Sequence, residues 1–295
     1  MEKLPELPLK EWKDTLDTLH MWTQVAGKIA LATTPLINHY WNATMRVTPR
    51  GLLTKPLNVR GRAFDLAFDL VDHRFIIRID DGSESSISLE PMAVADFYHE
   101  VMKKLENFGL EINIWPMPVE FEDPIRFTED RTHKSYDREY IERFRSILQW
   151  TDQVFKEFRS EFVGKASPVH FFWGSFDLAT TRFDGERAPK RKDADPVTQE
   201  AYSHACISHG FWCGGEAVSE PAYYAYAAPE PDGLNNAAIG SAEAYYHAGM
   251  KEFILPYDAV RRSQDPKGYL GDFLRLTYAE AADRAGWDRD KLERR

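Results

Sequence analysis

Apolar residues recur at spacings of three and four from Leu9 to Ile29, with Leu9, Trp12, Leu16, Leu19, Trp22, Val25 and Ile29 forming one stripe. That period is the buried face of an amphipathic helix. From Tyr40 to Leu89 the pattern switches to alternation over Asn42–Thr48, Arg62–Leu70 and Arg74–Ile79, broken by Pro49-Arg50-Gly51, Asp72-His73 and Asp80-Asp81-Gly82. Period two with Asp-Gly turns predicts an antiparallel meander. Pro91 then opens a helix running to Gly109, a short strand spans Glu111–Trp115, and Pro116–Arg131 carries three prolines and seven charges, as a connector would.

The second half repeats the alternation of periods. A helix is predicted from about Tyr136 to Phe162, with Phe144, Ile147, Leu148, Thr151, Phe155, Phe158 and Phe162 on one face. A strand follows over Ser167–Leu178, where Pro168 disfavours helix before it and the aromatic run fits a pleated surface. Arg187–Asp195 reads as an exposed loop and Thr198–His204 as a turn or short helix. Ala205–Cys213 and Ala222–Ala228 follow as strands and Ala244–Leu255 as a strand pair around Ala248-Gly249; Pro256 opens a short helix, and a last helix runs from about Tyr269 to Ala285. The pattern predicts an α+β protein with antiparallel sheets and packed helices: a first unit over residues 1–115, a connector over 116–134 and a second unit over 135–295.

The two halves share an order of landmarks. Trp22-Thr23, Gly27-Lys28, Pro35, His39, Trp41, Thr48 and Arg50 correspond to Trp150-Thr151, Gly164-Lys165, Pro168, His170, Trp173, Thr180 and Arg182, with one spacing, Trp-x6-Thr-x-Arg, kept in both. An internal duplication of an α-β-α unit accounts for this; chance matching in an aromatic-rich chain is the alternative. Under duplication a ligand pocket is expected between the units, lined by His39, Trp41, Arg50, Trp173, Arg182 and Tyr224.

Length and charge narrow the function. At 295 residues the chain can bury a large core, and a net charge of −10 argues against nucleic acid or an anionic membrane as its main partner. Two cysteines, Cys206 and Cys213, exclude a disulfide framework and match no paired zinc motif. A charged start with Pro5 and Pro8, and the lack of any run of about 18 apolar residues, lead us to expect a cytoplasmic protein.

Candidate chemistry gathers after residue 165. His170 sits in an apolar strand, and a bulge at Gly174 would bring Asp177 to its face; the plainer alternative is a core histidine bonded to a carbonyl. Glu200-Ala-Tyr-Ser-His204 on a helix would stack a carboxylate and an imidazole one turn apart, and with His209 would suit zinc or non-haem iron; a solvated Glu–His pair is the alternative. Without metal, His170 paired with Asp177 or Glu200 could move protons near neutral pH. No nucleotide-binding glycine motif is present, and Trp-Gly-Ser-Phe-Asp lacks the second glycine of a nucleophile elbow.

Three stretches carry a resemblance: Leu9-x-x-Trp12-x-x-Thr15-x-x-Thr18-Leu19-His20-x-Trp22-Thr23-Gln24, Ile114-Trp115-Pro116-Met117-Pro118, and Ser167-Pro168-Val169-His170-Phe171-Phe172-Trp173-Gly174-Ser175-Phe176-Asp177-Leu178. In these the chain resembles an uncharacterised bacterial family, domain of unknown function 5996, over nearly its whole length. The resemblance implies a bacterial or similar soluble protein and no particular reaction. The residues themselves favour an enzyme acting on a small aromatic or anionic molecule through His170, Asp177, Glu200 and His204. A small-molecule binding protein without turnover is the alternative, and a scaffold whose aromatics are all core is a third.

Overall fold

The computed structural model describes residues 4–294 and shows an α+β protein whose strands pair antiparallel. The chain folds into two compact units. One comprises residues 10–149 and 171–176; the other comprises, among the described residues, 4–9, 150–170 and 177–294. We call them the N-terminal and C-terminal units. The helix Arg138–Ser160 contributes its first part to the former and its remainder, from Trp150, to the latter.

In the N-terminal unit the predicted stripe forms helix α1 (Leu9–Thr33), with Trp12, Leu19, Trp22, Val25 and Ile29 at 1% exposure or less. The meander comprises β1 (Met45–Thr48), β2 (Gly51–Thr54), β3 (Leu57–Val59), β4 (Arg62–Asp69), β5 (Arg74–Ile79) and β6 (Glu84–Ser88). These lie in the order β1-β2-β4-β5-β6, with β3 on β4. Helix α2 (Val94–Asn107) covers the meander, its Phe97 ring stacked on Trp22 at 5.0 Å and edge-on to Phe75 at 5.2 Å. Such aromatic pairs add packing energy beyond the area they bury.

Two expectations change here. Residues 111–115 form no strand. The long central strand is interrupted: β7 is only His170–Phe172, and the chain turns through Trp173–Phe176, where Phe176 adopts φ +56°. The aromatics that suggested a strand instead hold a turn. Phe176 stacks on Phe144 at 5.3 Å, and Trp173 donates its indole N–H to the Ala43 carbonyl at 3.0 Å.

In the C-terminal unit, after helix α3 (Arg138–Ser160), come β8 (Asp177–Arg187), α4 (Pro196–Ala201), β9 (His204–Trp212) and β10 (Ala222–Ala228). They are followed by β11 (Tyr245–His247), β12 (Glu252–Pro256), α5 (Tyr257–Arg262), α6 (Pro266–Arg284) and α7 (Arg289–Leu292). The strand order is β8-β9-β10-β12-β11. Strand alternation gives this sheet two different faces. One carries Arg182, His209, Phe211 and Tyr223, packed against Phe158, Tyr257 and Thr277 of the helices. The other carries Asp177, Thr181, Ser208, Gly210, Tyr224 and Tyr226. No described helix is long and apolar enough to cross a membrane.

Candidate functional site

The second face of that sheet is unusually rich in hydroxyls and carboxylates. Tyr224 donates its hydroxyl to Asp177, the first residue of β8, which is 6% exposed. Thr181 and Ser208, opposite one another in register, join their hydroxyls at 2.9 Å. Tyr226 stacks beside Tyr224, with centroids 6.0 Å apart, and accepts a hydrogen bond from the Tyr202 hydroxyl at 3.1 Å. A strand reading Ala-Tyr-Tyr-Ala-Tyr-Ala places two of its tyrosines here and the third, Tyr223, in the core, because consecutive side chains alternate.

At the edge of this face lies a cavity of about 670 Å³, lined by Arg191, Tyr202, Tyr226, Glu230, Lys251 and Glu252 and floored by the backbone that follows β10. The Arg191 guanidinium lies over the Tyr202 ring at 4.1 Å, a cation–π arrangement that leaves its donors available at the cavity. Glu230 accepts from the Tyr246 hydroxyl and lies 3.9 Å from the Lys251 ammonium. Glu252 is the distinctive group. Burial, reinforced by the nearby Asp177 carboxylate, pushes its carboxyl up from 4.5 to about 7, so near neutral pH it exists in both protonation states. A cavity with two aromatic walls, two cations and a carboxyl poised near neutrality can hold a small polar ring and exchange a proton with it.

Several residues singled out from the sequence lie elsewhere. Helix α4 ends at Ala201, and His204 opens β9, so the helical stacking of Glu200 and His204 is not formed. His204 and His209 lie five residues apart on one strand, which sends them to opposite faces. His209 is fully buried, 4.8 Å from the Phe158 ring, and its Nε2 shares a hydrogen bond with the Thr277 hydroxyl at 3.1 Å; burial lowers its pKa well below the ordinary value. The three expected metal ligands are thus spread over a helix and two faces of a strand. Among the described residues no group of three or more His, Cys, Asp or Glu is arranged to hold a metal ion.

Arg182 is in the core, 2% exposed, its guanidinium 3.6 Å from the Phe158 ring centroid and 4.3 Å from that of Tyr278. Burial brings it down to about 10. His170 is buried in β7. In the N-terminal unit, Arg50 closes the β1–β2 turn by pairing with Asp69 and Asp72, and the His39 ring lies 5.3 Å from Trp41. Of the sequence candidates, Asp177 and Tyr224 meet on the polar face, and Tyr202, between Glu200 and His204, reaches the cavity. Sequence reasoning missed Glu252 and Tyr202; Tyr226 reads from the sequence as a pocket wall or a packed strand, and Arg191 as part of a solvated charge run, and both line the cavity. One signal was present: Glu252 is a lone acid opening an otherwise apolar strand, Glu-Phe-Ile-Leu.

The family model for the family of unknown function DUF5996 matches residues 4–294, and the chain belongs to that family. Neither curated proteins nor solved structures yield a match to this sequence.

Proposed function

We propose that this member of the family is an enzyme acting on a small aromatic or anionic molecule, bound in the cavity of the C-terminal unit. The single observation that carries the reading is Glu252, a carboxyl with a pKa near 7 on the wall of a cavity that also presents aromatic rings and cations. In this reading Glu252 is the acid/base. Tyr226 and Tyr202 stack on the ligand ring and orient it with their hydroxyls, and Arg191 and Lys251 hold its anionic group. Asp177, held by Tyr224, keeps the Glu252 proton in place by repulsion of a second negative charge.

A screen of small ring-containing acids for thermal stabilisation tests the reading, with hits followed for turnover. A genuine ligand should lose its effect in Tyr226→Ala and Arg191→Ala. Glu252→Gln should keep binding and lose turnover. A hit indifferent to Tyr226 and Arg191 would sink this assignment, and a ligand bound and never turned over by the wild type would leave a binding protein without catalysis.

A further inference from the structure

Helix α1 carries a lysine where its stripe calls for an apolar residue. Lys28 lies three positions after Val25 and one before Ile29, both fully buried, and is itself only 7% exposed. Its ammonium sits 5.2 Å from the centroid of the Trp115 ring and 5.9 Å from that of Trp173. Among the described residues no carboxylate or hydrogen-bond acceptor meets it. Its three donors therefore have only ring faces and solvent for company. Those faces attract the cation and offset part of its desolvation, and burial still lowers its pKa.

The surroundings are built rather than incidental. Gly27 is required beside Lys28, because a Cβ there would fall inside the Trp173 ring, and that ring is fixed by its bond to the Ala43 carbonyl. Trp115 differs: it is 66% exposed and presents a free indole surface beside the ammonium. An unpaired buried cation next to an exposed aromatic surface has the two elements that recognise an aromatic carboxylate, a charge for its oxygens and a ring for its ring.

We propose that Lys28, Trp115 and Trp173 form a second binding site, in the N-terminal unit, for a small aromatic carboxylate. The carboxylate accepts from the Lys28 ammonium and the ring lies on Trp115. The site is independent of the cavity at Glu252.

Titration calorimetry of the full chain carrying Tyr226→Ala, which disables the cavity of the C-terminal unit, tests this with benzoate and indole-3-acetate, against benzyl alcohol and benzylammonium. Both acids should bind, more weakly as salt is raised, and the neutral and cationic probes should not. Adding Lys28→Met, which keeps the length and removes the charge, should weaken the acids by about tenfold or more, and Trp115→Ala, at an exposed position, should do the same without affecting folding. Equal affinity in both variants overturns the proposal. So does an absence of binding by either acid, which with a more stable Lys28→Met chain would make Lys28 a core ammonium held by the indoles alone.

Discussion

Tyr224 lies flat across Gly210. The two are register partners on β10 and β9, and a Cβ at position 210 would fall inside the Tyr224 ring at Cζ and its hydroxyl. Only the absence of a side chain at 210 lets the tyrosine cross β9 and reach Asp177 on β8. Gly210→Ala should therefore displace the ring, break its bond to Asp177 and destabilise the protein by about 1–3 kcal/mol, the usual range for overpacking. Urea denaturation measures this. The double variant Gly210→Ala/Tyr224→Ala should cost less than the sum of the singles, since each removes the same contact; strict additivity would show that the crossing does not matter.

The raised pKa of Glu252 has a consequence for stability. Its folded value, about 7, lies above the ordinary 4.5, so the folded protein binds the extra proton between those values and stability falls as pH rises through that window. Glu252→Gln, which stays neutral, should match the wild type near pH 4.5 and exceed it by roughly 1–3 kcal/mol at pH 8. Denaturant midpoints at the two pH values decide it. An equal effect at both would mean that the carboxyl is not held protonated.

His20 works in the opposite direction. Its Nε2 donates to the Trp173 and Gly174 carbonyls at 3.0 and 2.8 Å, and burial brings its pKa down from 6.5 to about 4 against the pull of those carbonyls. The unfolded chain binds the proton first, so the stability tied to neutral His20 is present above pH 6.5 and is lost as pH falls toward 4, in total about 3 kcal/mol. His20→Gln should cost stability at pH 7 and flatten the slope between pH 6.5 and 4.5. An unchanged slope in that variant would assign the acid sensitivity to other groups.

How much of this was legible depended on which period the residues kept. The stripes of α1 and α3, the Asp81-Gly82 turn and the Tyr-Ala strand each repeat long enough to declare their element, and each forms where expected. Trp173–Phe176 failed because an aromatic run has the composition of a buried strand whether it lies in a sheet or packs a turn against a helix. Glu200 and His204 failed for a related reason: a four-residue spacing has helical meaning only if the helix reaches both ends, and α4 stops at Ala201. The cavity was the least visible. Arg191, Tyr202, Tyr226 and Glu252 are spread over some sixty residues, and only strand pairing collects them.

Gln24 shows how a side chain can do the work of a strand. It is fully buried in α1, and its amide meets Val119 twice: Nε2 donates to the Val119 carbonyl at 2.8 Å, and Oε1 accepts from the Val119 N–H at 2.8 Å. The pair copies the double bond of an antiparallel register partner and ties the 116–134 segment, which has no sheet of its own, to the helix. Gln24→Leu keeps the volume and strands both backbone groups, so it should cost roughly 2 kcal/mol or more. Gln24→Glu keeps the acceptor and loses the donor, which leaves a buried carboxylate oxygen facing the Val119 carbonyl. That variant should be the less stable of the two at pH 8 and recover as the carboxyl takes up a proton at lower pH and donates again. Amide exchange at Val119 reads the clamp directly: protection should fall in Gln24→Leu while α1 itself stays protected. If Val119 exchanges no faster in that variant, the segment is held by its packing and not by Gln24.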